Sequence, residues 1–258
     1  MPALRPFTAV VITHNAADTI GPCLAALGRV CDEILVLDSF SDDGTVEICR
    51  EMGATLVAQP WLGFSQTKNL GNAMAKNNWI LSIDADEVLS DELVAVLQQL
   101  EPSEGEVYAL DRLTSFCGKF IRHSGWYPDW KVRLFDRRNV RWQGDFVHET
   151  LLVPPGHRTV KLRGKLYHYS YKDSADHFRR MEKYARLSAQ EQFQRGKKAT
   201  FIKLHLSPAA RFFRTFFLKK GFLDGWAGWL ISVRSAWMIR QRYRMLKKLW
   251  KEKKEEAT

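Results

Sequence analysis

Trp79-Ile80-Leu81-Ser82-Ile83-Asp84-Ala85-Asp86-Glu87 runs from an apolar strand pattern straight into three carboxylates. The first five residues read as a buried strand. Two acidic side chains one residue apart fall on opposite faces of any strand that continues. They converge only where the chain turns, so Asp84 and Asp86 belong at a strand-to-loop junction. Clustered anions are costly unless a cation or an acidic proton compensates them. A hard divalent ion holding a diphosphate is the commonest functional reason for such a cluster. The competing structural reading is a helix-start signal, in which the acids complement the dipole of a helix near Ser90-Asp91-Glu92-Leu93.

Upstream of this stretch, strands and helices alternate. Phe7 to Thr13, Glu33 to Leu37 and Ala54 to Ala58 are predicted strands. Between them, Thr19 to Leu27, Val46 to Met52 and Ser65 to Lys76 read as helices. The strands are apolar without alternation, which indicates cover on both faces and hence a doubly wound, mostly parallel α/β sheet. Ligands in such sheets bind beyond the carboxyl ends of the strands. The residues predicted there are His14-Asn15, Asp38-Ser39 and Asp84-Ala85-Asp86. Three polar strand ends make a site far more probable than one. Asp38 is placed to accept hydrogen bonds from a nucleoside, whereas Asp42 and Asp43 suit turn formation and helix capping beside Gly44. No GxGxxG follows the first strand and no GxxxxGK[ST] occurs, which argues against dinucleotide and P-loop chemistry.

The charges divide sharply along the chain. Residues 1–111 carry 5 Lys+Arg against 17 Asp+Glu, residues 112–200 carry 20 against 8, and residues 201–258 carry 14 against 4. An acidic first half, a basic middle suited to an anionic substrate and a basic tail with its own partner follow from this. Pairing of the opposite charges within the protein is the plain alternative. The four cysteines form no CxxC pair and read as reduced thiols of a cytosolic protein, and Met1 to Pro6 lacks the apolar core of a signal peptide.

Several motifs, in order, resemble those of the family-2 glycosyltransferases of GT-A fold. They are Val11-Ile12-Thr13-His14-Asn15, Asp38 to Thr45, Lys68-Asn69-Leu70-Gly71 and Asp84-Ala85-Asp86-Glu87. Trp130 to Phe135, Val147-His148-Glu149-Thr150-Leu151 and Gly221-Phe222-Leu223-Asp224-Gly225 extend the match over nearly the whole chain. The bacterial lipopolysaccharide core β-glucosyltransferases are the nearest subgroup. His14 stands where many members have tyrosine, and an imidazole can also stack on a base. The resemblance implies inverting sugar transfer from a nucleotide-diphospho-sugar to an acceptor hydroxyl. It assigns donor binding to Thr13, His14, Asn15, Asp38, Lys68 and Asp84. It assigns a divalent cation, Mg2+ or Mn2+, to Asp86, with Asp84 and His148 as further candidates. The structural alternative for Lys68 is a solvated helix lysine, and for His148 a plain structural histidine.

Inversion in one displacement needs a base for the acceptor proton. Glu149 is the choice, since His148-Glu149-Thr150-Leu151 resembles the segment that supplies the base in relatives, with Asp145 and Asp129 in reserve. Trp126, Trp130 and Arg133, from the aromatic and basic middle, are acceptor-side candidates, because aromatic faces stack on sugars and arginine grips phosphate. The expected organisation is a GT-A domain over 1–200, divided into a donor half 1–111 and an acceptor half 112–200, with a helical extension over 201–258. Within that extension Phe212, Phe213, Phe216, Phe217, Trp226, Trp229 and Trp237 fall at helical spacing among basic residues. Such helices lie on anionic membranes, so residues 208–254 are expected to hold the enzyme peripherally on the inner face of the cytoplasmic membrane. The acceptor would then be lipid-linked or lipopolysaccharide core. The alternative is that the aromatic face packs on the catalytic domain. Nucleic acid is not expected, because the acidic first half repels a polyanion. Two rival functions remain: a haloacid-dehalogenase-like phosphatase, since Asp84 to Val88 fits DxDx[TV], and a non-enzymatic basic binding module. The first misplaces the motif on the fourth strand, and the second leaves the acidic strand ends unexplained.

Overall fold

The computed structural model describes residues 4–144, 149–171 and 173–255. Its first elements are β1 (Arg5–Thr13), α1 (Ala17–Leu27), β2 (Cys31–Asp38), α2 (Thr45–Glu51), β3 (Thr55–Ala58), α3 (Phe64–Met74) and β4 (Trp79–Asp84). Each lies where the apolar runs put it. Short β5 (Glu87–Leu89) and α4 (Asp91–Gln99) follow, then β6 (Glu106–Phe116), β7 (Lys119–Phe120), β8 (Asp129–Asp136), β9 (Arg141–Gln143), β10 (Thr150–Leu152) and β11 (Arg158–Tyr171). Helices α5 (Ser174–Gln194), α6 (Phe201–Phe213) and α7 (Trp226–Glu255) complete the chain.

The main sheet has the order β3-β2-β1-β4-β8-β6-β11-β5, with β7 on β6. β3, β2, β1 and β4 are parallel, and β8 joins antiparallel to β4. Alternation along β1 explains why its run is apolar throughout. Phe7, Ala9 and Val11 face one core with Ile20, Leu24 and Leu97, whereas Val10 and Ile12 face another with Leu37, Ile80 and Phe135. The register sets Thr13 beside Asp38 and Ile12 beside Asp84, so the polar strand ends form one edge.

The helix-start reading of the tetrad fails for a local reason. Ser90 caps α4 by accepting from the Leu93 amide at 3.2 Å, and the acids of the first turn are Asp91 and Glu92. β5 separates that cap from Asp84 and Asp86.

The chain forms two compact units, one of residues 1–113 and 129–169, the other of residues 114–128 and 170–258. In the second unit Phe116, Ile121, Ala227 and Ile231 form one core, and Ala189, Ile239, Tyr243 and Leu246 another. Asp224 ties this unit together. Its carboxylate accepts from the backbone amides of Arg122 and His123 and from Ser124 Oγ, each at 3.1 Å. Gly228 permits the start of α7: a Cβ there would meet the Gly221 carbonyl at 1.8 Å. The Gly221-to-Gly225 motif is thus a structural junction.

Candidate active site

The three acids of the tetrad have three different fates. Glu87 is fully buried; its Oε1 accepts from Arg133 at 2.5 Å and Arg112 at 3.4 Å, and its Oε2 accepts from the Asp84 amide at 3.1 Å. Asp84 receives Lys68 Nζ at 3.0 Å on one oxygen and Arg133 Nη2 at 2.6 Å on the other. Burial acts to raise the Asp84 carboxyl, but Arg133 and Lys68 outweigh it and hold it well below the usual carboxylate range. In turn, burial acts to lower Arg133, and Asp84 and Glu87 outweigh it and lift the guanidinium above its ordinary value. The charge compensation demanded by the sequence therefore comes, for Asp84 and Glu87, from the protein itself.

Asp86 differs. Its carboxylate is 31 % exposed and lies 3.3 Å from His168 Nε2, while its carbonyl accepts from the Tyr169 amide at 2.8 Å. The β5–β11 pairing brings this about by setting His168 opposite Glu87. A carboxylate and an imidazole suit a divalent cation that takes its remaining ligands from phosphate and water. Among the described residues no group of three His, Cys, Asp or Glu side chains forms a complete cage. The donor set therefore fits an ion shared with a substrate phosphate, held by Asp86 with His168. His148 and Asp145 lie outside the described residues.

Lys68 is the hub of the site. It is 1 % exposed, pairs with Asp84 and with Glu149 Oε1 at 2.9 Å, and lies 4.6 Å from the centroid of the Trp142 ring. This excludes the solvated-lysine reading. Its neighbours in α3 hold it there. Asn69 exchanges two hydrogen bonds with the Trp142 backbone, at 2.8 and 2.9 Å. Gly71 lets the helix sit on the sheet, since a Cβ would come within 2.6 Å of Val10 and 2.7 Å of Leu37. Glu149 keeps its Oε2 buried and without a hydrogen-bond partner among the described residues. It lines a cavity of about 410 Å³ with Asp84, Arg112, Trp130, Arg133 and Trp142. Trp130 and Arg133 thus reach one cavity with Glu149, although Arg133 is committed to Asp84 and Glu87. Trp126 belongs to the second unit, packed near Phe116 and Tyr171. Asp129 is bound by Arg112 at 2.7 Å and Lys131 at 3.1 Å. Burial acts to raise its carboxyl, but Arg112 and Lys131 prevail and lower it, which makes it a weak base.

A second cavity of about 440 Å³ is lined by Ile12, Thr13, His14, Ser39, Trp61 and Phe64. Thr13 Oγ1 is buried with no hydrogen-bond partner among the described residues. Trp61 and Phe64 meet edge to face at 4.7 Å. Asp38, 2 % exposed, accepts from the Ser41 amide at 2.9 Å and from the Ser41 hydroxyl. Asn15, at φ 52°, accepts from the Asp42 amide at 3.0 Å. Asp43 bonds the Thr45 hydroxyl and the Ala17 amide, and its carboxyl is lowered chiefly by Thr45. Asp43 shapes the loop, as the turn chemistry predicts for Asp42 and Asp43, whereas Asp38 and Asn15, expected at the donor, are bonded to Ser41 and Asp42 of the same loop. The sequence reading missed His168, Trp61 and Phe64, which sit in no motif. Arg112 was visible only as the first residue of the basic middle.

The family model for glycosyl transferase family 2 matches residues 8–150. The chain belongs to that family. The site edge at Thr13, Asp38 and Asp84, the Lys68 hub and Glu149 all fall within the matched residues, and the fold is of GT-A type. An uncharacterized glycosyltransferase of Rickettsia bellii is 28% identical over 244 residues, covering 89% of this chain and 82% of the relative. The lipopolysaccharide core biosynthesis glycosyltransferase LpsC of Rhizobium meliloti is 28% identical over 261 residues, 92% of this chain and 93% of LpsC. The crystal structure of S. aureus TarS 1–349 in complex with UDP-GlcNAc superposes with a TM-score of 0.43 at 14% identity, covering 96% of this chain and 92% of that 1–349 chain. Family 2 membership sets aside both the phosphatase and the non-enzymatic binding module.

Proposed function

We propose that this family 2 enzyme transfers a sugar, with inversion, from a nucleotide-diphospho-sugar to a hydroxyl of a membrane-linked glycan such as lipopolysaccharide core. One observation carries the reading: Lys68 joins Asp84, at the end of β4, to Glu149 on the wall of a single cavity. Thr13, His14, Asn15, Trp61 and Phe64 receive the nucleoside, the aromatic rings offering their faces to the base. Glu149 takes the acceptor proton as the acceptor oxygen attacks the anomeric carbon. The bond from that carbon to the diphosphate breaks, its electron pair staying on the phosphate oxygen. Lys68 supplies positive charge beside the developing anion, and Arg133 keeps Asp84 in place. A divalent cation held by Asp86 and His168 would add to that stabilisation. Trp130 offers an aromatic surface for sugar stacking, while Trp142, 7 % exposed, supports Lys68 from beneath.

Glu149→Gln tests the assignment. Nucleotide-sugar affinity should stay near wild type, while turnover falls by the ~10²–10⁴-fold that a lost general base costs. Turnover retained at the wild-type level would transfer the role to Asp145 or Asp129.

The second unit supports the membrane part of the reading. Phe213, Phe217, Trp226 and Trp229 are 48–55 % exposed, and Arg214, Lys219 and Lys220 flank them. Among the described residues no helix is long and apolar enough to cross a membrane. Exposed aromatics beside basic residues fit the surface of an anionic bilayer on its cytoplasmic side.

A further inference from the structure

Glu87 closes the acidic tetrad, yet the sugar transfer itself gives it no task. Its carboxylate is fully buried. A buried charge is tolerated only with partners of good geometry, and here they come from three strands. Arg133 of β8 donates to Oε1 at 2.5 Å, and Arg112 of β6 reaches the same oxygen at 3.4 Å. The amide of Asp84, the last residue of β4, donates to Oε2 at 3.1 Å. The backbone adds a fourth strand, since Glu87 opens β5 opposite His168 of β11. Ala85 and Asp86 alone separate β4 from β5, although β8, β6 and β11 lie between those two strands in the sheet. The crossing is thus made in two residues. Glu87 is fastened at its far end by strand pairing, and its carboxylate returns to the near end.

Asp86 lies inside this bracket. On one side the Glu87 carboxylate holds the Asp84 amide; on the other the Asp86 carbonyl accepts from the Tyr169 amide at 2.8 Å. With its backbone held at both ends, Asp86 brings its carboxylate to 3.3 Å from His168 Nε2, while Lys68 and Arg133 go to Asp84. We infer that Glu87 is a positioning residue: its carboxylate braces the turn from Asp84 to Glu87 so that Asp86 and His168 meet a divalent cation together. The inference rests on the metal role given to Asp86. A group that orients a metal ligand without touching the ion typically governs affinity by about 10–100-fold.

The test measures Mn2+ binding to the full chain by electron paramagnetic resonance of the free ion, with and without UDP, well below each variant's melting transition. Wild type should bind Mn2+ and Asp86→Asn should not. Glu87→Gln keeps the volume but has one acceptor oxygen, so it cannot serve both the Asp84 amide and the guanidinium groups. Glu87→Asp keeps the charge and is one methylene too short to span them. Each should bind Mn2+ about tenfold to a hundredfold more weakly than wild type. A purely structural role would lower the melting temperature and leave this affinity alone. Wild-type affinity in Glu87→Asp would reduce Glu87 to a buried counter-charge and overturn the inference; wild-type affinity in Glu87→Gln would do the same. Should Glu87→Gln not fold, Glu87→Asp decides, since it leaves the guanidinium groups neutralised. No Mn2+ binding by wild type would instead remove the metal role of Asp86, and the positioning role with it.

Discussion

Asp84 and Asp86 are two residues apart and chemically opposite, and the difference lies in what faces them. Asp84 neutralises two nearly buried cations, Lys68 and Arg133, whose side chains are 1 % and 4 % exposed. Asp84→Asn would leave both without that partner, and removing one member of such a network costs ~3 kcal/mol or more. The variant should therefore melt at a lower temperature than wild type. Because the folded Asp84 carboxyl lies below its unfolded value, its stabilising contribution is complete above about pH 4 and is lost as pH falls further. Asp84→Asn should flatten that acid limb. Asp86→Asn should melt like wild type and lose metal-dependent nucleotide binding, followed by Mn2+ titration. Wild-type metal and nucleotide binding by Asp86→Asn would remove this residue from the metal role. The DxD spacing was legible in the sequence. The division of labour was not, because His168 arrives from β11 with no motif of its own, and Arg133 of β8, expected on the acceptor side, is spent on Asp84 and Glu87.

Among the elements, α3 shows how a four-residue motif is read in three dimensions. Lys68 carries charge into the site, Asn69 bonds β9, Leu70 packs in the core with Val10 and Leu37, and Gly71 gives close approach. The first four strands and three helices were legible because doubly covered strands leave long apolar runs. The antiparallel part was not, since its strands mix polar and apolar residues and pair across long separations. α5 hides a further device. His177 is 1 % exposed, accepts at Nδ1 from Arg234 at 3.1 Å, and packs near Phe116 and Tyr171. Burial, reinforced by the Arg234 charge, lowers it to about 4. The unfolded chain binds this proton below about pH 6.5 and the folded one does not, so stability is complete above pH 6.5 and declines as pH falls towards 4. The decline should reach ~3 kcal/mol, and His177→Phe should abolish it in denaturant melts taken across that range. A His177→Phe profile with the wild-type slope would show that the imidazole stays protonated in the fold.

For the whole molecule, the sequence left open whether the aromatic tail lies on a membrane or packs on the catalytic domain. Within the second unit, α7 has one covered side and one exposed side. Ala227, Ile231, Ile239, Tyr243 and Leu246 of α7 are buried, whereas Trp226 and Trp229 stay about half exposed. Removing everything from Pro208 onward would therefore strip α7 from the core of its unit, so substitution is the cleaner probe. Replacing Phe213, Phe217, Trp226 and Trp229 by serine should leave the melting transition near wild type and release the protein from phosphatidylglycerol vesicles in flotation. Wild-type binding should weaken with salt, each nearby Lys or Arg contributing ~1 kcal/mol at low ionic strength. Undiminished flotation of the serine variant would dismiss the aromatic surface as the membrane contact.

By itself the sequence determined the parallel α/β layout, the polar strand ends and the family, since each is written in short-range pattern: apolar runs, turn residues, motifs in order. It also supplied Lys68 and Glu149 as candidates, 81 positions apart, without joining them. Tertiary structure alone decided which acids are neutralised from within, that Lys68 is a buried hub, that His168 stands by Asp86, and which side of α7 is covered. These outcomes depend on distances between strands remote in sequence and on charges whose cost is set by burial. A local pattern fixes which residues are present at a strand's end; the packing around it fixes which of them are left with charge to offer.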